Sequence, residues 1–145
     1  MTTMTTGPVA FSTGVGEVSY RIKDLLEDRR SVAQWWVDLT MQLDELSIRL
    51  MTDGEAVWRG LSDQLRRDAP HMSSALQRID AEKEDIESEL FRVRMFAGES
   101  AGDPHRTHSV KQAVRGVLNR LRRHEERTTQ VLYETYERDL GGESA

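Results

Sequence analysis

The chain contains no cysteine. That excludes disulfides, thiolate zinc sites, iron–sulfur ligation and a thiol nucleophile. Proline is scarce, at three residues in 145, which permits long helices. Aromatic residues make up only 6%, so the core must be largely aliphatic. No stretch has the uninterrupted apolar length of a membrane span. The opening MTTMTTGPVAFSTGVG lacks the basic flank and apolar run of a signal peptide, so a cytoplasmic location is expected. A basic surplus is missing too. The net charge of −5 argues against binding duplex nucleic acid, which needs a basic face to displace counterions.

What is present is charge and periodicity. Charged residues are 31% and hydrophobic residues 37%, a balance that suits helices with solvated outer faces. Residues 1–16 are rich in Thr and Gly, lack periodicity and are expected to form a flexible arm. A single helical-bundle domain is expected over 17–142, followed by a short tail at 143–145. Its first helix is predicted from Glu17 to Met51, where Val18, Ile22, Leu25, Trp36, Leu39, Leu43, Leu46 and Leu50 recur at three- and four-residue steps. Thr52-Asp53-Gly54 has the chemistry of a turn and should end it.

The second helical stretch, from about Glu55 to Ala97, contains Pro70. Proline removes a backbone donor and disfavours helical geometry at Ala69. The apolar stripe passes Pro70 nearly in phase, from Leu65 to Met72 and Leu76. The expected fold is therefore all-α. It has three long antiparallel helices in a coiled-coil-like seam, the second kinked or broken at Pro70, with a four-helix up-and-down bundle as the alternative. Gly98 to Thr107 reads as a loop, and the last helix is predicted from His108 to Leu140, ended by Gly141-Gly142.

Polar residues interrupt the stripe: Arg29, Asp68, Lys83 and His124. Buried charges are costly unless paired. If the chain reverses at Asp53-Gly54 and again in the Gly98–Thr107 loop, Arg29, Lys83 and His124 fall near one level. Glu87 follows Lys83 by one turn, and Glu125 adjoins His124. This predicts a partly buried polar layer of Arg29, Lys83, Glu87, His124 and Glu125. The simpler reading is that Arg29 and Lys83 extend along the seam to solvent. Asp80–Glu89 reads as a solvated acidic face. His105 and His108 form a possible half-site for a metal, at a loop-to-helix junction without companion ligands. No glycine-rich phosphate loop or nucleophile–base set is evident, which points away from an enzyme.

Leu25–Trp36 (LLEDRRSVAQWW) and Leu121–Gly142 (LRRHEERTTQVLYETYERDLGG) resemble segments of hemerythrin-like, cation-binding helical bundles, with a weaker likeness at Leu76–Leu90. Together they cover about a third of the chain. The resemblance implies a bundle holding a non-haem iron pair through histidines and carboxylates. Carried over by residue, most ligands are replaced: Arg29 and Lys83 stand at histidine positions, and Thr128 stands where an acid is expected one turn after His124. The implied protein is a divergent member with a degenerate metal site, no cofactor and an interaction or regulatory role. Its partner would be another protein or a second copy, with neither nucleic acid nor membrane involved. The alternative is retained non-haem iron for sensing or for oxygen or iron handling, held by His124 with Glu125 and Glu87. A second resemblance, of Trp58-Arg59-Gly60 and Tyr133 to Glu137, is to small secreted WxG-type helical effectors.

Overall fold

The computed structural model describes residues 13–27 and 32–144, with backbone alone at 13, 32, 53–55, 57 and 135–144. The protein is all-α, and no strand occurs among the described residues. Its helices are α1 (Thr13–Glu27), α2 (Val32–Arg49), α3 (Glu55–Asp68), α4 (Ser73–Ser100) and α5 (Thr107–Ser144). The expected first helix is thus two, and residues 28–31 between them lie outside the described ones. Helix α1 already begins at Thr13, and Val15 is buried, so the last residues of the expected arm belong to the packed structure. At the other end α5 runs through Gly141-Gly142 to Ser144.

The two expected breaks exchange roles. Thr52-Asp53-Gly54 does not end a helix. Residues Leu50–Gly54 form a π-helical turn that joins α2 directly to α3. The Thr52 hydroxyl donates to the Ile48 carbonyl at 2.7 Å, so a side chain with turn chemistry binds back into the helix. The reversal instead falls at Pro70. Ala69 leaves helical geometry (φ −140°, ψ 72°), and Pro70–Met72 form a short 3₁₀ turn before α4. Proline supplies the fixed φ of a first turn and disfavours helix at the residue before it. The in-phase stripe was compatible with this because residues on both sides of a hairpin face the same core.

Cross-helix pairs fix the directions. Arg94 of α4 bonds Asp44 of α2, while Asp80 of α4 bonds Trp58 of α3. The step forward from Asp44 to Trp58 matches the step back from Arg94 to Asp80, so α4 runs antiparallel to α2 and α3 together. Glu89 pairs with Arg120 and Glu82 with Arg127, which makes α4 and α5 antiparallel as well. Between them Gly102, at φ +83°, occupies a left-handed conformation that glycine adopts without steric cost. Asp103 then caps the following turn, its carboxylate accepting from the His105 amide at 2.9 Å.

Helix α1 packs on α2, the π turn and α5. Trp35 in the first turn of α2 donates its indole N–H to the Leu25 carbonyl at 2.8 Å, tying α2 to the end of α1. Its ring lies edge-on to Trp36, at 4.9 Å between centroids, with the Lys111 ammonium of α5 5.4 Å from the Trp35 centroid. One apolar core joins all five helices, from Val18 and Ile22 through Leu39, Leu43 and Leu46 to Ile86, Val114 and Leu132. No helix among the described residues is long and apolar enough to cross a membrane.

Candidate functional site

The polar cluster is built on α4 and α5. His124 and Arg127 are one turn apart on α5 and share a face. Glu82 of α4 projects between them. His124 is 2% exposed, and its Nδ1 lies 2.6 Å from Glu82 Oε1. Arg127 closes on the same carboxylate from the solvent side. Its Nη2 pairs with Oε2, and its Nε donates to Oε1 at 3.2 Å. Thr128, also buried, donates its hydroxyl to the His124 carbonyl at 2.8 Å. The threonine therefore serves its own helix.

Burial lowers the pKa of His124 below its ordinary 6.5, although the hydrogen bond to Glu82 and that carboxylate's charge pull the other way. The charges of Arg127 and Lys83 add to the lowering. At neutral pH the ring is neutral, and the tautomer that suits a carboxylate carries the proton on Nδ1, donating to Glu82. For Glu82, burial acts to raise the pKa, but hydrogen bonds from Arg127 and His124 and their charges outweigh it. Its pKa falls below the ordinary 4.5.

The predicted layer is distributed around this cluster. Lys83 is 6% exposed, with Nζ 4.0 Å from Glu87 Oε2. Both line a cleft of about 420 Å³ beside α3, whose wall includes Trp58, Ser62 and Arg66. There the Trp58 indole donates to one Asp80 oxygen at 2.5 Å, and Arg66 pairs with the other at 2.8 Å. Glu125 faces a different groove, between α5 and α1, with Tyr20, Lys23 and Leu118. Burial there, and neighbouring Glu126, raise its pKa. Arg29 lies outside the described residues. The level reasoning that placed it beside Lys83 assumed a reversal at Asp53-Gly54. With the reversal at Pro70, Lys83 faces α3. Across the second loop, the charge of Lys83 acts on His124 and lowers its pKa.

The residues missed from sequence are Glu82 and Arg127. The acidic run Asp80–Glu89 reads as a solvated face apart from Lys83 and Glu87. Yet Glu82 and His124 are nearly equidistant from the α4–α5 turn, and Arg127 follows His124 by one turn, so the cluster could have been found by extending the level reasoning to polar flanks. His105 and His108 are both exposed, and Trp58-Arg59-Gly60 lies within α3 and not at a turn.

An iron centre does not suit this donor set. A carboxylate on Nδ1 is common for a ligating histidine, so the bond to Glu82 does not itself oppose a metal, but the charges of the neighbouring Arg127 and Lys83 do. Among the described residues no three His, Asp or Glu side chains converge where they could hold a metal ion. No family model, curated protein or solved structure matches the chain.

Proposed function

We propose that this chain is a non-enzymatic, cytoplasmic helical-bundle protein with an interaction or regulatory role, and that its polar cluster packs the bundle instead of binding iron. The helices form one up-and-down bundle, four helices in cross-section along α1 and three beyond it. The observation that carries the reading is the closure of the cluster. A buried histidine is held by a carboxylate, and an arginine covers that carboxylate. The charges of Arg127 and Lys83 beside His124 disfavour a bound cation, and among the described residues no three His, Asp or Glu side chains converge on a metal position. The resemblance of Leu25–Trp36 and Leu121–Gly142 to hemerythrin-like proteins fits a relative in which cations have replaced ligands. Under that reading Lys83 and Arg127 occupy volume and supply charge near a histidine that once faced metal.

Metal analysis of the full chain, produced with iron or manganese supplied, tests the proposal. Far less than one metal per chain is expected, unchanged in His124→Ala. Stoichiometric metal that is lost in His124→Ala would establish the iron-binding alternative at His124.

A further inference from the structure

Helix α2 buries one face and leaves another strongly apolar. Trp36, Leu39, Leu43, Leu46 and Leu50 point into the core, while Val37, Met41, Ile48 and, in the π turn, Met51 are 52–61% exposed. These four recur at three-, four- and seven-residue steps along the outer side, which is the spacing of a helix-packing seam. Helix α4 extends this face. Arg94 bridges to α2, its Nε and Nη2 reaching Asp44 Oδ1 at 3.0 and 2.8 Å and its Nη1 reaching Ser47 at 3.2 Å. Phe91 and Met95, within one turn of Arg94, are 58% and 50% exposed. The bridge therefore sets them beside the Met41–Met51 stretch. At roughly 100 Å² for each half-exposed large side chain, these residues expose ~600 Å², the upper end for a monomer's largest apolar patch.

We infer that this α2–α4 face is the contact between two copies of the chain, packed antiparallel about a two-fold axis near Asp44-Glu45. Three observations select a second copy. First, the stripe is self-complementary. Val37 and Met51 lie almost equally far to either side of Asp44-Glu45, as do Met41 and Ile48, so a dyad there sets each apolar residue against another, as an isologous interface requires. Second, the carboxylates that the dyad brings together are already paired within each copy, Asp44 with Arg94 and Glu45 with Arg49, so they can approach the other copy's. Third, the patch approaches the ~800 Å² per partner of a stable interface once a polar rim is added, and methionine and phenylalanine are residues enriched in such cores.

The inference rests on the interaction role proposed above and names its surface and partner. Sedimentation velocity of the full chain across the micromolar range should show a concentration-dependent dimer. Met41→Glu with Ile48→Glu changes only exposed positions and should weaken self-association at least about 30-fold. Tyr20→Glu, exposed on α1 away from this face, should leave it unchanged. Because the chain has no cysteine, pairing can be read directly. A mixture of Val37→Cys and Met51→Cys chains should form a crossed disulfide dimer, while neither variant alone should do so efficiently. A monomer at every concentration overturns the inference, as does a dimer that survives the double substitution or crosslinks through Val37→Cys alone. These mass and crosslink readouts are independent of metal content, so a monomer without metal rejects the dimer alone, and a metal-loaded chain rejects the reading beneath it.

Discussion

The part of the molecule where α1 packs on α2 differs from the part where α3 faces α4. In the first, Val15, Val18 and Ile22 of α1 meet a nearly uniform aliphatic core with Leu39, Leu43, Leu46 and Val114. In the second, Ser62, Lys83, His124 and Thr128 are buried among the apolar residues; Ser100, at the far end of α4, is the exception among the described residues. The difference follows the helices available. Where a short helix adds a further layer, small branched side chains fill the space. Beyond its end, polar side chains enter it, and the ionisable ones lead outward: His124 to Glu82 and Arg127, Lys83 to Glu87. A buried polar residue is tolerated when its partner can still reach water.

Four measurements sharpen this contrast. The largest effect belongs to the aliphatic part. Leu39 is fully buried, and Leu39→Ala should cost about 3 kcal/mol in urea denaturation, with a fall in Tm of roughly 10 °C. Next is the His124 cluster. Glu82→Ala leaves the buried imidazole without its carboxylate and should cost about 2 kcal/mol. The cluster is also sensitive to pH. A histidine whose folded pKa is lowered binds its proton less readily than the unfolded chain does, so stability falls as pH drops below 6.5 toward the folded value. Glu82, with its own lowered pKa, adds a second loss below 4.5, partly opposed by Glu125, whose raised pKa favours the folded state in acid. In His124→Leu the first loss should vanish while the second persists through Arg127. An unchanged profile between pH 6.5 and 5 would show that His124 does not titrate with folding.

The smallest effect is expected at Lys83. Its ammonium is 4.0 Å from Glu87, a loose pair at the wall of a cleft, so methionine should replace it within about 1 kcal/mol and without loss. A clear loss in Lys83→Met would make the lysine a cohesive part of the cluster and erase the distinction between it and His124.

Much of the fold was legible because periodicity reports burial. The α2 and α4 stripes, from Leu39 to Leu50 and from Leu76 to Ala97, are buried as expected. Connectivity was not legible, because burial periodicity does not say which neighbour covers a face. Thr52-Asp53-Gly54 and Pro70 each carry turn chemistry, and only the tertiary pairs Asp44–Arg94 and Trp58–Asp80 show which one reverses the chain. The site was half visible for the same reason. His124 stood out as a polar residue in an apolar stripe. Glu82 was hidden in an acidic run whose composition suits a solvated face, and its role depends on Arg127 from another helix.

The π turn at Leu50–Gly54 also gives the chain a rotational phase. A π turn is an α-helix carrying one residue in excess, and each residue in a helix corresponds to about 100° of rotation. The wider turn absorbs that residue, so α3 keeps the phase it would have without it, and deleting a single residue there would restore regular α-helical bonding with Trp58 and Leu65 still facing α4. Were the extra residue held in regular α-helix instead, it would rotate α3 by about 100° and carry Trp58 away from Asp80. The π turn thus keeps the stretch that faces outward as Val37, Met41 and Ile48 in step with the stretch that holds Asp80 through Trp58 and Arg66.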